Sequence, residues 1–209
     1  MDYSKPFQSN FPYFVITPPV ALPVTLAHVK EHLRLDPDDD TQNTYLTLLI
    51  NAAAGFCEEY TRRTLINTGF RTFRNFFAGT IELLRSPLVS LDAFEYSVDG
   101  SFVAVDSNFY YMIQEIDYSK IILRNSVYYP TDGDDILQMI RIEFTAGYGT
   151  ASTDIPSKLY LAILNHIAAL YENHGDCDVD SVNFEMQLMN NLPVTSRMIY
   201  NNFKIHNLI

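Results

Sequence analysis

The chain has 209 residues, 47% of them apolar, which is enough for one domain with a real core. With 14 basic against 25 acidic residues the net charge is −11. The longest basic run is Arg62-Arg63, so a dedicated nucleic-acid grip through phosphate contacts is not expected. No apolar run reaches the ~18–20 residues of a membrane span. The N-terminus MDYSKPFQSN has no basic region leading into an apolar block, so the chain is expected to stay in the cytoplasm where it is made.

Residues 1–24 hold Pro6, Pro12, Pro18, Pro19 and Pro23 among Phe7, Phe11, Tyr13 and Phe14. Proline lacks the amide donor and blocks the preceding turn, so this segment cannot be a helix. It is too apolar for a solvated tail and reads as an extended arm that packs on its own domain or on a neighbour. Thr25 is a suitable N-cap for a helix over roughly 26–35, with Leu26, Val29 and Leu33 at helical spacing and Pro37 as its stop. Asp38, Asp39 and Asp40 then stand where carboxylates favour the positive end of the next helix. That helix is expected over roughly 40–63, with Tyr45, Leu49, Ala52, Phe56 and Tyr60 as its apolar stripe, flanked by Leu46, Ile50, Ala53 and Cys57, a width that faces a core on much of its circumference.

From 65 to 146 the pattern changes to short alternating segments divided by turn residues, which predicts strands. They are Gly69–Phe77, Thr80–Leu84, Leu91–Val98, Phe102–Val105, Phe109–Ile113, Lys120–Arg124 and Leu137–Phe144. Asp99-Gly100 is a strong hairpin turn. A loop follows with Asp132, Asp134 and Asp135 around Gly133. Gly147-Tyr148-Gly149 closes the β region, and Pro156 opens a helix over roughly 156–173 carrying Leu159, Ile163, His166, Ile167 and Leu170. Residues 174–191 are polar and acidic, and Pro193 opens a last helix running to about 204 with Arg197, Met198, Ile199, Tyr200 and Phe203. The predicted class is α+β, a small helical bundle core with a β-rich insertion over about 66–146. The expected division is an extended arm at 1–24, a domain at 25–174, and an acidic loop and C-terminal arm at 175–209.

No catalytic or metal constellation stands out. Asp36-x-Asp38-x-Asp40 and Asp176-x-Asp178-x-Asp180 resemble the opening of a calcium loop. Such a loop needs Gly at its sixth position and Glu at its twelfth. The first run has Thr41 and Thr47 there, and the second has Ser181 and Gln187. His28 and His32 form an i,i+4 pair without a third ligand. Cys57 and Cys177 lack metal-ligand spacing, and Cys57 reads as a buried reduced thiol. His166 reads as a satisfied core histidine. Nucleophile-elbow, phosphate-loop and dinucleotide motifs are all missing. No cofactor, no metal and no enzymatic activity are expected. One alternative is a small-molecule-binding or hydrolytic domain with a tyrosine-lined pocket, His166 being its first suspect. Another, resting only on the net charge, is a DNA-mimic inhibitor, but the acidic residues are scattered.

Several segments occur in a distinctive order: Thr17-Pro18-Pro19, Pro23-Val24-Thr25-Leu26, Lys30-x-His32-Leu33-Arg34, the Asp38–Asp40 turn, Ala52-Ala53-Ala54 and Glu58-Glu59-Tyr60-Thr61-Arg62-Arg63. Later come Ile81-Glu82-Leu83, Pro87-Leu88, Ile142 to Gly149, Ile155-Pro156 and Leu170-Tyr171-Glu172-Asn173. Together they resemble the head–tail connector family of long-tailed bacteriophages. The likeness spans about 14–174. The family often ends in a basic, Leu-rich helix, whereas Asn201-Asn202-Phe203-Lys204 is less basic.

The resemblance implies a structural protein of the virion neck, assembled in the host cytoplasm. It forms a ring of identical copies under the portal protein, extends the DNA channel and receives the next stopper or tail-completion protein. DNA would pass without sequence-specific binding, and an acidic lumen suits that passage because like charge prevents sticking. Asp38, Asp39, Asp40, Asp132, Asp134 and Asp135 are the candidates for the channel. Phe11, Tyr13, Phe14, Arg197, Tyr200, Phe203 and Lys204 are the candidates for portal or neighbour contacts.

Overall fold

The computed structural model describes residues 13–75, 77–114, 119–124, 140–173 and 192–205. In chain order these form β1 (Phe14–Thr17), α1 (Leu26–Leu33), α2 (Asn43–Thr61), β2 (Thr68–Arg74), β3 (Thr80–Leu83) and β4 (Leu88–Val98). Then come β5 (Ser101–Ala104), β6 (Tyr110–Gln114), β7 (Ser119–Leu123), β8 (Ile140–Ala146), α3 (Ser157–Glu172) and α4 (Val194–Phe203). The class is α+β. No described helix is long and apolar enough to cross a membrane.

The strands make a five-stranded antiparallel sheet in the order β1-β2-β8-β4-β5 and a three-stranded antiparallel sheet in the order β3-β7-β6. Period-2 alternation explains both. Ile140, Ile142, Phe144 and Ala146 of β8 are buried, while Arg141, Glu143 and Thr145 face away. The inward set joins Phe70, Ile81, Leu83, Leu88, Phe94, Ile121 and Leu123 in one apolar cluster between the sheets. The β4–β5 hairpin turns on Asp99 (φ 49°) and Gly100 (φ 78°), the two positive φ values of a type I′ turn. Each of the seven predicted strands overlaps an observed one; residues 137–139 of the last lie outside the described residues.

The four described helices share a second apolar cluster, built from Val29, Leu46, Ile50, Ala53, Cys57, Leu159, Ile163, Ile167 and Tyr200. Thr25 caps α1 as expected, its hydroxyl accepting from the His28 amide at 3.3 Å. The stop is not Pro37. Arg34 adopts the left-handed conformation (φ 57°), and the Leu35 amide reaches back to the Lys30 carbonyl at 2.9 Å, closing the helix three residues earlier. The second helix starts at Asn43 rather than 40, with no acidic residue in its first turn. The Asp36 and Asp39 carboxylates accept from the amides of Asp38 (3.0 Å) and Thr41 (2.9 Å) instead. Those local bonds hold the chain in turns that compete with helix. Of the wide apolar stripe expected on α2, the flank of Leu46, Ile50, Ala53 and Cys57 is buried together with Leu49, Ala54 and Thr61, while Ala52 is exposed. Pro156 and Pro193 cap α3 and α4 from the position just before the first helical residue.

Candidate assembly surfaces

The two apolar clusters meet at a hinge of backbone hydrogen bonds. The Gly147 amide donates to the Pro87 carbonyl (2.9 Å), Tyr148 to Leu65 (3.2 Å), Asn67 to Gly149 (2.8 Å) and Thr64 to Ser86 (2.9 Å). Gly147 has φ 151°, and a Cβ there would lie 2.5 Å from the Asn67 amide nitrogen. A Cβ on Gly149 would enter the Asp154 carboxylate. Only glycine fits either approach. Buried Arg63 ties α4 to the same place, its Nε donating to the Phe203 carbonyl at 2.6 Å. Four of the segments quoted for the family resemblance (Glu58–Arg63, Pro87-Leu88, Ile142–Gly149 and Ile155-Pro156) lie at or beside this junction. Their spacing in the chain therefore reflects one structural requirement, joining a helical half to a β half.

The acidic turn between α1 and α2 is exposed at Asp38, Asp39 and Asp40. Lys30, itself buried, sends its ammonium to the Pro37 carbonyl (3.0 Å) and the Asp40 carboxylate (3.2 Å). Asn43 donates to the same Asp40 oxygen at 2.6 Å. These bonds, Lys30 first, hold the Asp40 carboxyl below the usual carboxylate range. The hydroxyl and amide of Thr41 do the same for Asp39. The turn and α1 border an open cleft of about 680 Å³ lined by Leu26, Lys30, Glu31, Arg34, Pro37 and Asn43. Asp132, Asp134 and Asp135 lie outside the described residues.

The candidate contact residues fall into three places. Phe11 lies outside the described residues. Tyr13 plugs the rim of the sheet cluster, edge-on to Phe144 (5.9 Å between ring centres) and accepting the Leu84 amide on its hydroxyl (2.9 Å). Phe14 is 48% exposed on β1. On α4, Arg197 is exposed, Phe203 is half-buried beneath the Arg63 guanidinium, and the Lys204 ammonium sits 4.7 Å from the centre of the Tyr60 ring. Tyr200 is fully buried, so in this fold it packs the helical cluster and presents no surface.

His166 is buried but not satisfied. It lies between the rings of Phe56 (5.2 Å) and Tyr200 (6.2 Å), and its Nδ1 has no hydrogen-bond partner. Burial alone pulls its pKa down to about 4, so it is neutral at pH 7. It lines neither this cleft nor the smaller one of about 270 Å³ between α1 and α3, where His28 Nδ1 lies 2.7 Å from the Tyr160 hydroxyl. Burial also pushes the Cys57 thiol far up. The first suspect of the pocket reading therefore lies away from both clefts. Among the described residues no group of three side chains is placed to hold a metal ion.

The sequence reading singled out neither Phe73, Phe102 nor Arg141. They share the outer face of the five-stranded sheet with Phe14. Phe73 touches both Phe14 (6.4 Å) and Phe102 (6.5 Å), and the Arg141 guanidinium stacks on Phe102 at 4.3 Å. Arg71 pairs with Glu143 (2.7 Å), and Arg141 Nε donates to Glu95 (2.6 Å). The outward positions of the predicted strands carried the signal, because aromatics there do not serve the core.

The whole fold is similar to solved neck structures. A chain in the neck of an empty gene transfer agent particle, computed with C6 symmetry, matches with TM-score 0.76 at 18% identity, covering 95% of this chain and 97% of that one. A chain of the native gene transfer agent virion matches with TM-score 0.68 at 19% identity, over 94% and 97%. One from the native neck, computed with C12 symmetry, matches with TM-score 0.66 at 18% identity, over 95% and 97%. No curated protein sequence matches. Residues 23–89, from the lead-in to α1 as far as the start of β4, match the model of the phage gp6-like head–tail connector protein family.

Proposed function

We propose that this protein is a structural connector of the virion neck, that copies of it form a ring under the portal, and that the ring extends the DNA channel and receives the next neck or tail protein. The observation that carries this reading is the connector match over α1, α2 and the junction, combined with a likeness to neck chains over nearly the whole length. In this reading the helices act as the bundle core of a domain over 25–174, and the β region over 66–146 is an insertion that supplies lateral contacts. The segments 1–24 and 175–209 reach the portal or a neighbour, with Phe11, Phe14, Arg197, Phe203 and Lys204 as contact residues. The exposed Asp38–Asp40 turn, and Asp132, Asp134 and Asp135, face the channel and keep DNA from adhering.

The test is to mix the protein with the portal of its own phage and follow it by size exclusion and electron microscopy. A ring stacked coaxially on the portal is expected. No association well above micromolar concentration, with a portal competent in packaging, overturns the reading. Lysine at Asp38, Asp39 and Asp40 is expected to impair DNA packaging or retention without loss of the ring. Unchanged packaging and retention would remove the turn from the channel.

A further inference from the structure

The five-stranded sheet ends in two strands with the same design. β1 and β5 are each four residues long, and every residue of both is exposed. Among the described residues no strand pairs with the outer edge of either. Their sequences, FVIT and SFVA, contain no charge and no proline. Open edges are usually guarded by lysine, proline or an inward charge, because bare ones pair with other chains. Two unguarded edges on an acidic protein that is 19% charged call for a cover.

The two edges also match each other. Each neighbouring pair in the sheet is antiparallel, so following β1, β2, β8, β4 and β5 across it leaves β1 and β5 pointing the same way. Phe14 pairs with Arg71 and Phe102 with Ser97, which puts both phenylalanines on the outer face. Val15 pairs with Phe70 and Val103 with Tyr96, which puts both valines on the face turned to the core. Val15 is 57% exposed and Val103 45%.

We infer that copies of this chain join through these strands, the outer edge of β5 in one copy adding to the outer edge of β1 in the next. The pairing is parallel. Phe102 then stands beside Phe14 and Val103 beside Val15, so each face of the combined sheet continues with like residues. Such cross-strand aromatic and β-branched pairs are the unit of sheet stabilisation. The joint places no like charges opposite one another. It uses two different surfaces of each copy, as a closed ring of more than two subunits requires, whereas a two-fold contact would use one surface twice.

This inference rests on the proposed ring, and the test separates the two. Val15→Asp and Val103→Asp are made singly, and Val15→Lys is combined with Val103→Asp. Because both positions are exposed, each variant is first checked for an unchanged circular dichroism spectrum. Ring formation with the portal is then scored by electron microscopy. Each single variant is expected to cut the ring fraction at least tenfold, and the Lys–Asp combination to restore most of it by pairing opposite charges across the joint. If the single variants form rings like the parent, the edge joint is wrong while the connector reading stands. If the parent itself forms no ring, both fail. Loss in the single variants without recovery in the combination also overturns the pairing of Val103 with Val15. A circular dichroism change leaves the decision to a second pair of variants, Thr17→Lys and Ala104→Asp, scored by the same criteria.

Discussion

The helical half and the β half solve burial differently. The helical cluster encloses ionisable and polar groups: Cys57, His166 and Tyr200 sit within it, and Glu58, Lys30 and Arg63 lie at its margins. Among the described residues of the β half the buried polar side chains are uncharged hydroxyls such as Thr72 and Ser119, and the charges stand outside as Arg71–Glu143 and Arg141–Glu95 pairs. A helix buries a stripe whose flanks still carry polar residues, whereas a strand sends every second side chain fully outward. The lesson is that pH should act on this protein through its helices, while its sheet should meet partners.

The junction between the halves should be the point of greatest sensitivity. Gly147→Val forces a side chain into the Asn67 backbone at a positive φ, and a loss of about 4 kcal/mol or more is expected. Denaturant unfolding would read it; a mild effect would mean the halves are not locked together there. Next come the two cores. Ile163→Ala and Ile142→Ala, each at a fully buried position, should cost about 2–5 kcal/mol. Both should lower a single unfolding transition. Two transitions, each moved by one variant, would show that the halves unfold separately.

His166 sharpens the contrast further. Its pKa in the fold is about 4 against an ordinary 6.5, so between those values the unfolded chain binds a proton that the fold refuses. Stability therefore falls as pH drops through that window, by up to about 3 kcal/mol. His166→Leu should flatten that slope in unfolding curves taken from pH 7 to 4. Glu58 acts with the opposite sign. Burial raises its carboxyl above the ordinary 4.5, partly offset by the Leu65 amide and Arg85, so its ionisation opposes folding as pH rises. Glu58→Gln keeps the acceptor for Leu65 and should be slightly more stable than the parent at pH 7, by about 1 kcal/mol at most. The smallest effect belongs to the β half: Arg71→Ala removes a surface pair and should change stability by under about 1 kcal/mol at any of these pH values. A large or pH-dependent loss there would break the contrast.

Much of this was legible in the chain. Thr25, Pro156 and Pro193 announced helices, Asp99-Gly100 announced a hairpin, and alternation announced the strands, because caps, turns and period are local properties. The ends of α1 and α2 were not legible. Arg34 and Arg62 adopt left-handed conformations that sequence assigns to glycine, and Asx turns at Asp36 and Asp39 displaced the start of α2. His166 was read as a satisfied core residue, but whether a buried nitrogen finds a partner depends on side chains brought from α2 and α4.

By itself, the sequence determined the helices, seven of the eight described strands, their order and the acidic balance, because these follow from backbone chemistry, side-chain period and composition. Tertiary structure alone decided that Gly147 and Gly149 are a packing junction, that Tyr200 belongs to the core, and that β1 and β5 are the two edges of one sheet among the described residues. Strand order and burial arise from contacts between segments far apart in the chain, and no local pattern encodes which strand is left at the edge.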